Sequence, residues 1–138
     1  MASMTKTDVI RRYYDELFNA GRTELVHELL AEDYVNHSTG SPDQPRDREG
    51  VAQVVRALRV AFPDLRYTID DLVASDDAVV ARTTMTGTHR GDFFGIAATG
   101  RAIRVSQITI ERFRGERIVA HWRLTDELAL MRQLGVIA

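Results

Sequence analysis

Cysteine is absent from the 138 residues. That absence excludes disulfides, thiolate nucleophiles, iron–sulfur clusters and cysteine-ligated zinc. An excess of one charge is also lacking: 18 basic and 20 acidic side chains leave a formal net charge of −2 at pH 7. Such a balance offers no concentrated cationic surface, so no nucleic-acid partner is expected. No apolar run approaches the ~20 residues that a bilayer span requires, so no membrane partner is expected either. The Met1–Thr7 stretch has no apolar segment of the secretory kind, which makes the cytoplasm the expected location. No Gly-x-Ser-x-Gly elbow supports serine-hydrolase chemistry. His27, His37, His89 and His121 lack ligand-like spacing, so no metal site is expected.

What is present reads as one folded domain over residues 1–138, with residues 1–6 as a flexible start. The composition, 44% hydrophobic and 28% charged, is that of an ordinary globular chain. Up to Pro63 the apolar spacing is helical. Val9, Ile10, Tyr13, Tyr14, Leu17 and Phe18 form one stripe, capped by Thr7 and stopped at Asn19-Ala20-Gly21. Leu25, Val26, Leu29 and Leu30 form a second stripe, and Asp33–His37 is a short extended piece. Ser38–Asp47, with Gly40, Pro42 and Pro45, is a loop. A third helix runs from about Arg48 to Phe62.

Beyond Pro63 the period falls to two, predicting about four antiparallel strands. These start near Tyr67, Ala78, Arg101 and Arg117, with turns at Asp76-Asp77 and Gly115-Glu116. A last helix, Glu127 to Leu134, ends at Gly135. Helices followed by strands indicate an α+β fold: a cone-shaped, curved antiparallel sheet wrapped over three helices, with a small-molecule cavity between the layers. An uncovered sheet face and the apolar Gly91–Ala98 loop lead us to expect a homodimer.

Six stretches carry a resemblance that spans residues 8 to 136. They are Tyr14…Phe18-Asn19-Ala20-Gly21, Asp33-Tyr34-Val35-Asn36-His37, Ala61-Phe62-Pro63-Asp64-Leu65, Gly87-Thr88-His89-Arg90-Gly91, Thr99-Gly100-Arg101, and His121-Trp122…Asp126…Gln133-Leu134-Gly135-Val136. Together they resemble the SnoaL-like polyketide cyclases of the nuclear transport factor two-like superfamily. The resemblance implies a cofactor-free protein whose pocket holds an aromatic polyketide intermediate and closes a ring by intramolecular aldol chemistry. The same superfamily includes accessory proteins for polyketide hydroxylation, so a non-catalytic binding role is the alternative.

The candidate catalytic residues are His121 and Asp126, a base and a donor near a strand end. Asp126 is equally placed to cap the closing helix, and His121 to bond backbone groups in the core. If Asp126 is the acid/base, it should be buried, because desolvation raises a carboxylate's pKa toward neutrality. Candidate substrate-binding residues are His37, Arg123, Tyr14, Gln107 and Trp122. Tyr13 and Tyr14 lie on adjacent helix faces, so only one of them is expected in the cavity. The resemblance implies an acid two residues after His121, where this chain has Arg123. An arginine there favours binding an enolate or carboxylate and cannot act as a base near neutral pH. The charged Glu111–Arg117 stretch reads as solvated surface and turn.

Overall fold

Thr5, not Thr7, opens the first helix. In the computed structural model, which describes residues 4–138, the Thr5 hydroxyl accepts from the Asp8 N–H and the Asp8 carboxylate accepts from the Thr5 N–H. This reciprocal capping box satisfies two backbone donors that a helix start would leave open. It also orders Met4 to Lys6, which were expected to be flexible; residues 1–3 of that expected flexible start lie outside the described residues. Helix α1 (Lys6–Arg12) continues into a π-helical segment, Tyr13–Asn19. Gly21 then leaves the helix at φ 71°, a left-handed conformation that favours glycine.

A 3₁₀ turn (Thr23–Leu25) leads into the short α2 (Val26–Leu29), and strand β1 follows at Leu30–Asn36. Helix α3 (Arg48–Ala61) is capped by Asp47, whose carboxylate accepts from the Gly50 N–H. Strands β2 (Arg66–Ala74), β3 (Ala78–Thr88), β4 (Ala102–Arg114) and β5 (Arg117–Thr125) follow, and α4 (Glu127–Leu134) ends on Gly135 at φ 78°.

The sheet has five strands in the order β1-β5-β4-β3-β2. The meander β2 to β5 is antiparallel as expected, but β1 pairs with β5 in parallel, so the sheet is mixed. A parallel neighbour requires a long crossover, and here everything from α3 to β4 lies between the two strands in sequence. The core between sheet and helices includes fully buried Ile10, Leu17, Leu29, Leu30, Val55, Phe62, Val79 and Ile118. No helix among the described residues is long and apolar enough to cross a membrane.

Two side-chain amides fasten helices to the sheet. Asn19 donates to the Tyr67 carbonyl (2.9 Å) and accepts from the Tyr67 N–H (2.7 Å). Gln133 does the same at Arg104, at 2.9 and 2.6 Å. Each clamp satisfies two strand groups at once, and together they set the ends of the cleft between the layers.

Candidate active site

One residue of β5 decides which of its side chains enter the cleft. Phe113 faces Ile118 across the β4–β5 ladder, but Arg112 faces Ala120, so Val119 is an extra residue in the pairing. Because side chains alternate with period two, such a bulge reverses the phase of everything beyond it. Ile118 points inward, and so do His121, Arg123 and Thr125; Trp122 and Leu124 point outward. The inner face thus carries three cross-strand pairs, Glu111 with His121, Thr109 with Arg123, and Gln107 with Thr125.

All of these except Glu111 line one side of a cavity of about 290 Å³. Facing them is an aromatic wall of Tyr13, Tyr14, Phe18 and Tyr67, with ring centroids 5.0 to 6.1 Å apart. Both Tyr13 and Tyr14 line the cavity, against the expectation that only one would. The π-helical turn is the reason: its wider winding brings successive side chains closer to one face than an α-helix does. Val51, Val54 and Leu58 of α3 and Leu130 and Met131 of α4 complete an apolar lining.

The mouth is formed by the loop after β1 and the loop after β3. Phe94 sits at φ 47°, in the region side chains rarely adopt, within a turn held by paired backbone bonds between Phe93 and Ile96. Its ring lies 3.2 Å from where a Cβ on Gly40 would stand, so a side chain at residue 40 would push the ring back by a few tenths of an ångström. At the base of this loop, His89 is fully buried, and its Nδ1 accepts from the Thr99 N–H at 3.2 Å.

The central polar contact is between His121 and Glu111. Nδ1 of His121 lies 2.5 Å from Oε1 of Glu111, both side chains being buried. Glu111 is 0% exposed, and Oε2 has no partner among the described residues. This corrects the reading of Glu111 as solvated surface: β4 is half-buried along its whole length, and position 111 falls on its inner face. Burial pushes the Glu111 carboxyl above the usual carboxylate range, and the attraction of His121 opposes that shift. With Nδ1 engaged, His121 presents its Nε2 edge to the cavity it lines.

The neighbouring groups are donors and acceptors rather than acids. The Tyr14 hydroxyl and Thr109 Oγ1 are 3.1 Å apart and buried, and burial raises the Tyr14 phenol well above its ordinary range. Burial likewise pushes Tyr67 up to about 12. Gln107 is buried on the cavity wall. The Arg123 guanidinium donates to Thr125 Oγ1 (2.6 Å) and to the Ser38 carbonyl (2.9 Å).

Of the residues singled out from the sequence, His121, Arg123, Tyr14 and Gln107 meet in this cavity, and three do not. Asp126 is exposed, and its carboxylate accepts from the Ala129 N–H as the N-cap of α4. The strand ends one residue before it, so its side chain follows the helix start rather than the inner face of the sheet. His37 and Trp122 are exposed, with rings stacked 4.5 Å apart and 6° from parallel on the outer side. Asn36 and Ser38, on either side of His37, line the cavity instead. Glu111 is the residue that sequence reasoning missed; its place in the strict alternation of β4 with Thr109, Gln107 and Val105 was the available signal.

Comparison with known proteins agrees with this architecture. The chain is 30% identical over 134 residues, 95% of its own length and 91% of the relative's, to the aklanonic acid methyl ester cyclase DnrD of Streptomyces peucetius. Among solved structures, TsrD from Streptomyces laurentii superposes with a TM-score of 0.86 at 30% identity, covering 95% of each chain. Wild-type IdmH from Streptomyces antibioticus does so with a TM-score of 0.83 at 36% identity, over 96% of this chain and 99% of that one. The SnoaL-like polyketide cyclase family matches residues 8–134, which is nearly all of the folded chain. With that match joined to a curved sheet, a helix-covered aromatic cavity and a buried polar row, the chain belongs to the SnoaL-like polyketide cyclase family.

Proposed function

We propose that the protein closes a ring in an enolisable aromatic polyketide intermediate by cofactor-free acid/base chemistry, with His121 as the proton-transfer group. The observation that carries this reading is the Glu111–His121 pair. It holds an imidazole by one nitrogen and leaves the other facing an aromatic-walled cavity. His121 Nε2 takes the proton from the carbon beside a substrate carbonyl, and the C–H electron pair becomes an enolate. The enolate carbon bonds to a second carbonyl carbon of the same molecule, whose oxygen becomes an alkoxide. That alkoxide takes back the proton from His121, so no electron or atom is left over.

Glu111 is a positioning residue in this scheme, accepting the Nδ1–H and so fixing the tautomer that leaves Nε2 basic. Tyr14 is a phenol at neutral pH, which burial reinforces, and with Gln107 and Arg123 it supplies donors for substrate oxygens. Asp126 has no part in the chemistry.

The test is deuterium exchange at the acidic carbon of an aromatic polyketide methyl ester, followed by mass spectrometry of the ring-closed product. Replacing His121 by Gln should slow both exchange and closure by about 10²–10⁴, the usual worth of a general base. Exchange and closure within a few-fold of wild type would overturn the assignment. The second reading, a non-catalytic module that shelters such a ligand for another enzyme, is favoured by Arg123, which cannot serve as a base near neutral pH. Tight binding without exchange would support it.

We also infer a cytoplasmic homodimer. Ile108, Ile110, Trp122 and Leu124 are exposed together on the outer sheet face, which is an apolar surface a second copy could cover. Leu124→Glu should shift the sedimentation mass from dimer to monomer; a wild-type chain that sediments as a monomer at micromolar concentration refutes the inference.

A further inference from the structure

The charge inside the cavity says more about the ligand than its aromatic wall does. Arg123 is the cation on the inner face, partly buried between Ser38, Thr109 and Thr125. Its guanidinium makes bonds to one hydroxyl and one carbonyl, both neutral, and none of the ion pairs among the described residues includes it. An arginine carries five N–H donors, so most of its donor capacity is still open.

The acidic groups nearby do not compensate it. Glu111 is two residues along the inner face, and the carboxylate oxygen that has a partner is engaged by His121 rather than by Arg123. Glu127 lies at the cavity rim, exposed to water, and Asp126 is turned outward as a helix cap. A ligand entering this mostly apolar cavity strips water from the guanidinium. A neutral ester carbonyl returns a hydrogen bond but no charge; a carboxylate returns both, and can do so with two oxygens at once.

We propose that the cavity selects aromatic ligands bearing a free carboxylate, held by Arg123, over the corresponding neutral esters. This rests on the reading of the cavity as an aromatic-ligand site and adds the charge of the ligand to it. The cavity volume of about 290 Å³ is at the low end for small-molecule sites, which suits a bicyclic acid as probe.

The experiment compares 3-hydroxy-2-naphthoate with its methyl ester by fluorescence titration at pH 7, against wild type, Arg123→Gln and Arg123→Lys. The acid should bind wild type about tenfold or more tightly than the ester, the size of one charge-assisted hydrogen bond. Arg123→Gln should lose that preference, because acid binding weakens about tenfold more than ester binding does. Arg123→Lys, which keeps the charge without the fork, should retain a preference for the acid and guards against misfolding of the Gln variant. Wild type binding the ester as well as the acid overturns the proposal and leaves the aromatic-ligand reading intact. Equal binding of both by Arg123→Lys also overturns it. Failure of both probes to bind wild type overturns both readings.

Discussion

The inner and outer faces of β4 and β5 are made by alternate residues of the same two strands, yet they differ in kind. Inside, Gln107, Thr109, His121, Arg123 and Thr125 put polar groups into a cavity walled mainly by rings and aliphatic chains, with Glu111 buried against His121. Outside, Ile108, Ile110, Trp122 and Leu124 put apolar groups where water reaches them, Leu124 at 81% exposure. This inverts the usual arrangement of a half-buried sheet, whose inner face is apolar and outer face polar. Buried polar groups are costly unless paired, and apart from Glu111 Oε2 each inner one here has a partner or faces a space where a ligand could supply one. An inverted strand pair therefore marks its inner face as a site and its outer face as a contact surface.

The harshest way to break the comparison is to shift the phase that the bulge sets. Inserting one alanine between Ala120 and His121 would move every later residue by one place along the ladder, turning Trp122 and Leu124 toward the cavity and His121 and Arg123 outward. We expect loss of the cavity's ligand binding and a large fall in melting temperature, read by fluorescence titration and circular dichroism. An insertion variant that still binds as wild type does would refute the role of strand phase.

A smaller change tests the buried acid. The carboxyl of Glu111 has its folded-state pKa raised above the ordinary 4.5. Below that pH both folded and unfolded chains hold its proton, and it contributes nothing to the pH dependence. As pH rises through and above 4.5, the unfolded chain releases the proton first, so wild-type stability falls. Glu111→Gln removes that loss: its melting temperature should gain on wild type between pH 4 and pH 7, while its proton-exchange rate drops. A pH-independent difference between the two would mean that the carboxyl is not held above its ordinary range.

The smallest effect is expected at Asp126. Replacing it with Ala removes the cap on α4 and should cost about 1 kcal/mol in stability. Turnover corrected for folded fraction should stay within a few-fold. Denaturant unfolding beside the exchange assay checks both, and a loss as large as that of His121→Gln would return Asp126 to the chemistry.

Most of the element order was legible because it rests on local rules. Helical spacing before Pro63, alternation after it, the Asp76-Asp77 turn and the Gly135 stop are properties of short segments. The candidate site was legible in part. His121, Arg123, Tyr14 and Gln107 were named from the chain and meet in one cavity, whereas His37, Trp122 and Asp126 lie outside it and Glu111 was passed over. Tyr13 was set aside on α-helical geometry, which the π-helical turn does not follow.

The sequence by itself determined the fold class, the residue types available for chemistry and the family they resemble. Tertiary structure alone decided that β1 lies parallel beside β5, that Val119 is unpaired, and that Glu111 meets His121 ten residues away in sequence. The physical reason is the same in each case. Local periodicity records which residues alternate, but the absolute phase of a strand is set by its partner's register. A single bulge, invisible in the run His121-Trp122-Arg123, chooses which of them face the ligand.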